Sequence, residues 1–309
     1  MTERYSTLNM TREQWLRLRK EGIGGSDAGA VCGLNPYMSP MAVYQDKISP
    51  EISLEDSEAM RQGRDLEDYV AGRFMEATGL KVRRSNVMYR SAEHPFMLAD
   101  VDRLVVGEDA GLECKTASAY SADKWREGAV PAHYLIQCLH YMAVTGKKSW
   151  YIAVVILGRD FKYVKLERDE EMIRNLISIE EEFWRCHVVP KVMPEPDGSR
   201  ISDEVIGRYF PAAVRREVLL PSEFDAGLKR REEILALEER LETERRQIEQ
   251  RVKLFMGDCE SAYNENYRIS WTNVDTVRID SRRMKEEQPA LYQSFAKTSR
   301  SRRFSVKAA

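Results

Sequence analysis

The stretch from Phe96 to Lys115, FMLADVDRLVVGEDAGLECK, sets acidic and basic residues inside runs that are otherwise apolar and β-branched, and few folds accept that arrangement. Met97 to Val106 reads as one strand, Gly107 to Gly111 carries turn chemistry, and Leu112 to Thr116 reads as a second strand, which predicts a β-hairpin. Side chains alternate along a strand, so Glu113 and Lys115 share one face while Cys114 takes the other. Asp102, eleven residues before Glu113, is expected on the partner strand beside them. Charges set inside an apolar sheet need partners. Two carboxylates can hold Mg²⁺ through oxygen, and a neighbouring lysine can orient or deprotonate a water. The pattern points to a metal-dependent phosphodiesterase site; the competing reading is an exposed hairpin with ordinary surface charges.

Composition narrows the class. No run of eighteen apolar residues is present and no charged-then-apolar leader opens the sequence, so a cytoplasmic protein without membrane spans is expected. The five cysteines are scattered with no C-x-x-C pair, which argues against a zinc ribbon, an iron–sulfur cluster or a disulfide framework and predicts buried free thiols. The formal net charge of −2 hides an asymmetry. Residues 1–250 carry 36 Lys or Arg against 43 Asp or Glu, whereas 251–309 carry 12 against 7, and the last thirteen residues hold five cations and no acid. A local basic tail bears on phosphate binding more than the whole-chain sum does, although a merely solvated tail has the same composition.

Along the chain, Thr11 to Glu21 reads as a helix opened by Thr11. Next comes IGGSDAGAVCGLNPYMSP, where Gly24 and Gly25 allow a tight turn and Ser26-Asp27 can cap a short helix from Ala28 to Cys32. A glycine turn feeding a helix N-terminus is a natural phosphate seat, and is equally a plain cap. Ser57 to Thr78 forms a longer helix, with Met60, Leu66, Tyr69, Val70, Phe74 and Met75 expected inward. Pro131 to Thr145 reads as a helix stopped at Gly146, and it sets Gln137 and Tyr141 on one face. Two strands and a helix from about Asp169 to His187 follow, which together give an α/β core with a mixed sheet. The proline-interrupted residues 191–221 read as a linker between a core of 1–190 and an extension of 222–309. In that extension Ser222 caps a helix of about forty residues with Asp225 as its capping-box partner, and the broken apolar stripe suggests docking on another element. A hairpin over Tyr267 to Ile279, a short helix and a strand over Arg303 to Val306 complete the expectation.

Taken together, W-x3-R-x3-IGGSDAGAVCGLNPYMSP, GRDLED, ADVDRLV-x6-LECK and AHYLIQCLHYMAVTG resemble the YqaJ-like viral recombinase nucleases, relatives of phage lambda exonuclease in the PD-(D/E)XK superfamily. The resemblance covers residues 12–188. It implies a restriction-endonuclease-like core with a mixed central sheet flanked by helices, followed by a long C-terminal helix and a small β-hairpin. Asp102 and Glu113 match its metal carboxylates, the Cys114 carbonyl a further ligand, Lys115 its catalytic lysine, and Glu67 a helix glutamate beside the metals. Gln137 and Tyr141 match a Q-x3-Y element that helps place DNA, and Arg19 and Ser26 match residues that hold a 5′-terminal phosphate. Arg103 departs from the lambda-type pattern, which has glycine there, and Asp100 is a further carboxylate on the strand face of Asp102.

The activity so implied is 5′-to-3′ digestion of double-stranded DNA ends with Mg²⁺, or Mn²⁺ in its place, as one ion or two. It would leave 3′ single-stranded overhangs for phage-type homologous recombination. No G-x4-G-K-[ST] loop is present, so the reaction is expected to run without ATP. A single-strand annealing recombinase is the implied partner, a homotrimer the implied assembly, and a phage or prophage in a bacterial host the implied origin. Two alternatives stay open: a single-strand-specific or structure-specific nuclease of the same superfamily, and a catalytically weak DNA-binding accessory protein.

Overall fold

The computed structural model describes residues 2–52, 54, 57–299 and 301–307, so Arg300 and the two final alanines of the basic tail lie outside the described residues. Contacts divide the chain into two compact units, the first ending at Phe210 and the second starting at Pro211.

The first unit is built on a mixed five-stranded sheet in the order β2(Val82–Arg84), β5(Arg103–Val105), β6(Ala110–Ala117), β7(Ser149–Ile156), β8(Asp160–Glu167). Only β6 and β7 run parallel, and the chain passes between them through a short irregular 3₁₀ stretch and helix α5(Ala132–Thr145). A near-continuous apolar run, SWYIAVVI, makes β7 a strand buried on both faces, as suits the middle of a covered sheet. Helix α4(Glu58–Thr78) covers one face, packing Val70, Ala71 and Phe74 on Leu112, Tyr151 and Ala153. On the other face α5 packs Cys138, Leu139 and Met142 with Trp150, Ile152 and Val154. The parallel register pairs Glu113 with Ile152 and Lys115 with Val154, so these two charges face α5, while Leu112 and Cys114 face α4.

A smaller antiparallel sheet takes the order β1(Thr2–Ser6), β3(Val87–Ser91), β4(Leu98–Asp100). Its first strand was hidden in a polar opening. Helices α1(Arg12–Lys20), α2(Gly25–Val31) and α3(Pro40–Ile48) follow β1, and α6(Glu170–Phe183) follows β8. The expected single strand over Met97 to Val106 is in fact two. The chain breaks at Val101-Asp102, β4 pairs with β3 in the small sheet, and β5 pairs with β6 in the large one.

Several boundaries differ from expectation. Gly24, not Ser26-Asp27, caps α2; Asp27 occupies its third position and accepts a hydrogen bond from the Gly24 amide at 3.0 Å. On α4, Met60, Tyr69 and Met75 are exposed, because the inward stripe is the narrower Val70, Ala71, Phe74. The segment expected as a structureless linker contains helix α7(Arg200–Tyr209), capped by Ser199 and burying Ser202 and Val205. Of the cysteines, Cys138 is buried, Cys32 and Cys114 are half-buried, and Cys186 and Cys259 are exposed.

The second unit holds helix α8(Asp225–Met256), 32 residues long, an antiparallel hairpin of β9(Ser261–Tyr263) and β10(Arg268–Ser270), and short helices α9(Ser281–Glu287) and α10(Pro289–Phe295). Ser222 opens a 3₁₀ turn and does not cap α8, the hairpin lies earlier than Tyr267 to Ile279, and no strand forms at Arg303 to Val306. Ile234, Leu241 and Ile248 of α8 are exposed, so the expected docking of its stripe is not seen among the described residues. No described helix is long and apolar enough to cross a membrane.

A Cβ added at Gly111 would collide with the buried Trp150 ring, whereas one added at Gly63, within α4, would meet nothing within 4 Å among the described residues. Gly111→Ala should therefore lower the unfolding free energy by about 1–3 kcal/mol, and Gly63→Ala should raise it by roughly 0.5–1 kcal/mol. Urea unfolding of the two variants beside the native chain checks both signs.

Candidate active site

The β6 strand delivers Glu113 and Lys115 to a nearly dry position under α5. The Lys115 ammonium lies 2.6 Å from Glu113 Oε1. Gln137 of α5 donates through Nε2 to the same oxygen at 2.7 Å and lies 2.8 Å from the Tyr141 hydroxyl, so one helical turn braces the carboxylate. Glu113 Oε2, in a residue only 3 % exposed, has no hydrogen-bond partner among the described residues. Asp102 follows the break after β4, and its Oδ2 accepts the Cys114 amide at 2.8 Å, which fixes it beside β6 although it lies outside the ladder. Asp102 and Lys115 both keep part of their surface open.

Electrostatics here are out of balance. Burial, then the charges of Glu113 and Glu67, pushes the Asp102 carboxyl well above the usual carboxylate range, and Lys115 and the Cys114 amide offset this only in part. Burial likewise pushes Glu113 up against the pull of Lys115. Burial opposes the Lys115 charge, but Glu113 and Asp102 outweigh it and hold the ammonium protonated. Burial pushes the Cys114 thiol well up, so its side chain is a neutral thiol on the far face, and its carbonyl is the atom left for coordination. The cluster is short of positive charge, and Glu113 Oε2 has no proton donor; a hard divalent cation on carboxylate oxygen supplies what both lack. The donor set therefore fits Mg²⁺ or Mn²⁺. Among the described residues, however, no three Asp, Glu, His or Cys side chains are grouped as metal ligands. Glu67 of α4 is turned to the Arg103 guanidinium, leaving Asp102 and Glu113 as the offered carboxylates.

A second polar group stands close by, where α1 and α2 meet the Gln137–Tyr141 face of α5. Arg19 of α1 lies over the Trp15 ring and donates to Ser26 Oγ at 3.0 Å. The Trp15 indole N–H donates to Asp100 Oδ2 at 2.7 Å, which anchors this carboxylate to α1 while its charge still bears on Glu113. A Cβ on Gly25 would lie 2.5 Å from Cε1 of Tyr141 and 3.1 Å from Cγ of Gln137. Glycine is demanded there by the close approach of α2 to the helix that braces Glu113.

Sequence reasoning missed Asp27 and Lys47. Asp27 is buried, with Oδ2 at 2.7 Å from the buried Lys47 ammonium and Oδ1 at 3.4 Å from Arg19. A lone Asp after Ser and a lone Lys twenty residues later carry no spacing signal, since the pair forms only when α3 packs on α2.

A model of the YqaJ-like viral recombinase domain matches residues 14–148. The uncharacterized protein YqaJ of Bacillus subtilis (strain 168) is 36% identical over 305 residues, spanning 96% of this chain and 95% of that protein. The chain belongs to the YqaJ-like viral recombinase family. Among solved structures, an alkaline exonuclease (LHK-Exo) from Laribacter hongkongensis is 18% identical, with a TM-score of 0.49 over 64% of this chain and 96% of that one. A putative exonuclease from Eubacterium rectale is 16% identical, with a TM-score of 0.46 over 71% of this chain and 99% of that one. The family match covers the residues of both polar groups, Arg19 and Ser26 as well as Asp102 to Tyr141.

Burial raises the Asp27 carboxyl, but Lys47 and Arg19 outweigh it and bring the value down to about 2 from 3.8. A depressed folded-state value stabilises the fold above the unfolded value and loses that contribution as pH falls through the folded one. The contribution is of the order of 2 kcal/mol at neutral pH. Asp27→Asn should thus be less stable than the native chain at pH 7, with the gap narrowing as pH falls from about 4 towards about 2. Denaturant unfolding across that range measures it; a gap that does not narrow would refute the pairing.

Proposed function

We propose that this chain is a metal-dependent deoxyribonuclease that digests double-stranded DNA ends from 5′ to 3′ without ATP, leaving 3′ overhangs for recombination. The observation that carries the reading is Glu113, a buried carboxylate braced by Gln137 and Lys115 with one oxygen unpartnered, set beside Asp102. A structural salt bridge has no need of an orphaned oxygen, since each buried acceptor left unmade is destabilising.

In this reading Asp102, Glu113 and the Cys114 carbonyl hold Mg²⁺ or Mn²⁺. Bound there, such an ion would supply charge neutralisation at the phosphate and a more acidic water. Lys115, held as an ammonium, orients the attacking water and donates to the phosphate oxygens. Water oxygen bonds to phosphorus as the P–O3′ ester bond breaks; one water proton leaves to solvent and the departing 3′ oxygen takes a proton from solvent, giving a mononucleotide with a 3′-hydroxyl and a shortened strand with a 5′-phosphate. Gln137 fixes the Glu113 carboxylate, and Tyr141 supports Gln137. Arg19 and Ser26 grip the 5′-terminal phosphate by charge-assisted hydrogen bonds, which sets polarity. The family's description as viral recombinases supports a DNA substrate and a place in recombination. A homotrimer and a single-strand annealing recombinase complete the proposal, to be checked by mass in solution and co-purification.

The test uses the full chain, Mg²⁺ and end-labelled duplexes, without ATP. Linear DNA should be shortened from its 5′ ends and closed circles left intact. Glu113→Gln and Lys115→Ala should each lower the rate by about 100-fold or more. Arg19→Ala should lose about tenfold more on 5′-phosphate ends than on 5′-hydroxyl ends, because a charge-assisted contact is lost only with the former. Cutting of circles would reverse the assignment of end specificity, and equal losses on both ends would make Arg19 structural.

A further inference from the structure

Arg103 is 4 % exposed, a burial that an arginine tolerates only with its charge and donors met. The Arg103 guanidinium is ion-paired with Glu67 Oε1 through Nη1, which also donates to the Asp102 carbonyl at 2.7 Å, and Nη2 donates to Asp68 Oδ1 at 2.7 Å. Asp68 is shared, its other oxygen lying 2.5 Å from Arg84. Glu67 and Asp68 are adjacent on α4, so Arg103 ties the start of β5 to that helix by two side chains and to Asp102 by its backbone.

Register sets the Arg103 and Glu113 side chains on opposite faces of the sheet at neighbouring positions, with Glu67 close to both. Arg103 pairs in register with Leu112, whose side chain lies on the α4 face, while Glu113 and Lys115 lie on the α5 face. Moving Glu67 to a cation beside Glu113 would leave a buried guanidinium with one shared carboxylate and a carbonyl. Asp102 meanwhile has its backbone fixed by Arg103 and its Oδ2 by the Cys114 amide.

We propose that Arg103 is a positioning residue that withholds Glu67 from the divalent ion, so that the ion is held by Asp102 and Glu113 without it. This rests on the metal-dependent reading given above, whose ligands do not include Glu67, and goes beyond it in naming Arg103 as the residue that keeps Glu67 away. Glu67 becomes the partner that keeps Arg103, and through it the Asp102 backbone, in place.

Mn²⁺ binding to the full-length chain without DNA, followed by the loss of the free-ion electron paramagnetic resonance signal, tests it. Glu67→Gln alone should change the Mn²⁺ dissociation constant by less than about twofold, whereas in an Arg103→Ala background the same change should weaken binding by about tenfold or more. A merely structural Arg103 would not make the Glu67 effect depend on it. A loss of about tenfold in Glu67→Gln alone would make Glu67 a ligand and overturn the proposal. No loss in either background would show that Arg103 is not what withholds it. Should Arg103→Ala fail to fold by circular dichroism, the Glu67→Gln result decides on its own, with unchanged binding in support and weakened binding against. A native chain that binds no Mn²⁺ would remove the metal-dependent reading and this inference together, an outcome distinct from the others.

Discussion

Glu113 is the residue around which the first unit is organised, because a carboxylate on an inner strand of a covered sheet must be compensated where it stands. The residue is buried in a strand between β5 and β7, so solvent compensates it little, and both compensating groups come from defined directions. Lys115 arrives by strand alternation, two residues on; Gln137 arrives only if α5 is docked in one register. Breaking a buried pair by removing one partner costs about 3–5 kcal/mol, so the docking of α5 and the ionisation of Glu113 depend on each other. This is the sense in which a polar site specifies the packing of the fold, rather than being decoration on a finished core.

Helix α5 carries that constraint outwards. Gly25 allows α2 to sit on Tyr141, and Asp27 in the same helix then meets Lys47 of α3. Further along α5, His140 is fully buried, with Nδ1 at 2.8 Å from Glu180 of α6 and Nε2–H donating to the Leu98 carbonyl of β4 at 2.8 Å. Burial opposes the imidazolium, but Glu180 outweighs it and pushes the histidine up. One helix thus braces the carboxylate, seats the glycine turn and locks both the small sheet and α6. Few positions on it could change without moving Gln137.

How much of this could be read from the sequence depended on whether a signal was local. Strand alternation put Glu113 and Lys115 on one face, and a spacing of four put Gln137 and Tyr141 on one face of α5, because both periods are fixed by backbone geometry. The break at Val101-Asp102 was invisible, since an apolar and β-branched run reads as one strand whether or not its halves join different sheets. Lys47 and Arg103 were illegible for another reason: their partners come from other helices, and no residue near them in sequence announces the pairing. Helix α8 marks a third limit. Its existence followed from helix-forming composition and is supported by neighbouring pairs such as Arg245 with Glu242 and Glu249. What that helix packs against could not follow, because a stripe says only which side is apolar, and Ile234, Leu241 and Ile248 remain exposed.

The two faces of the large sheet resolve the same difficulty differently, and the contrast explains why one of them is left electrostatically open. On the α4 face, Arg103 meets Glu67 and Asp68 and has a fork matched to carboxylates, so charge and hydrogen bonds close together. On the α5 face, Lys115 is a point charge that satisfies one oxygen of Glu113 and leaves the other bare, with Asp102 beside it raised by its neighbours. A closed network has no reason to take up anything further. An open one, held rigid by Gln137 and the Cys114 amide, cannot relax by moving its carboxylates together or apart, and the remaining way to lower its energy is to bind positive charge. Rigidity and incomplete compensation are both needed, since a flexible acidic pair would simply turn to solvent.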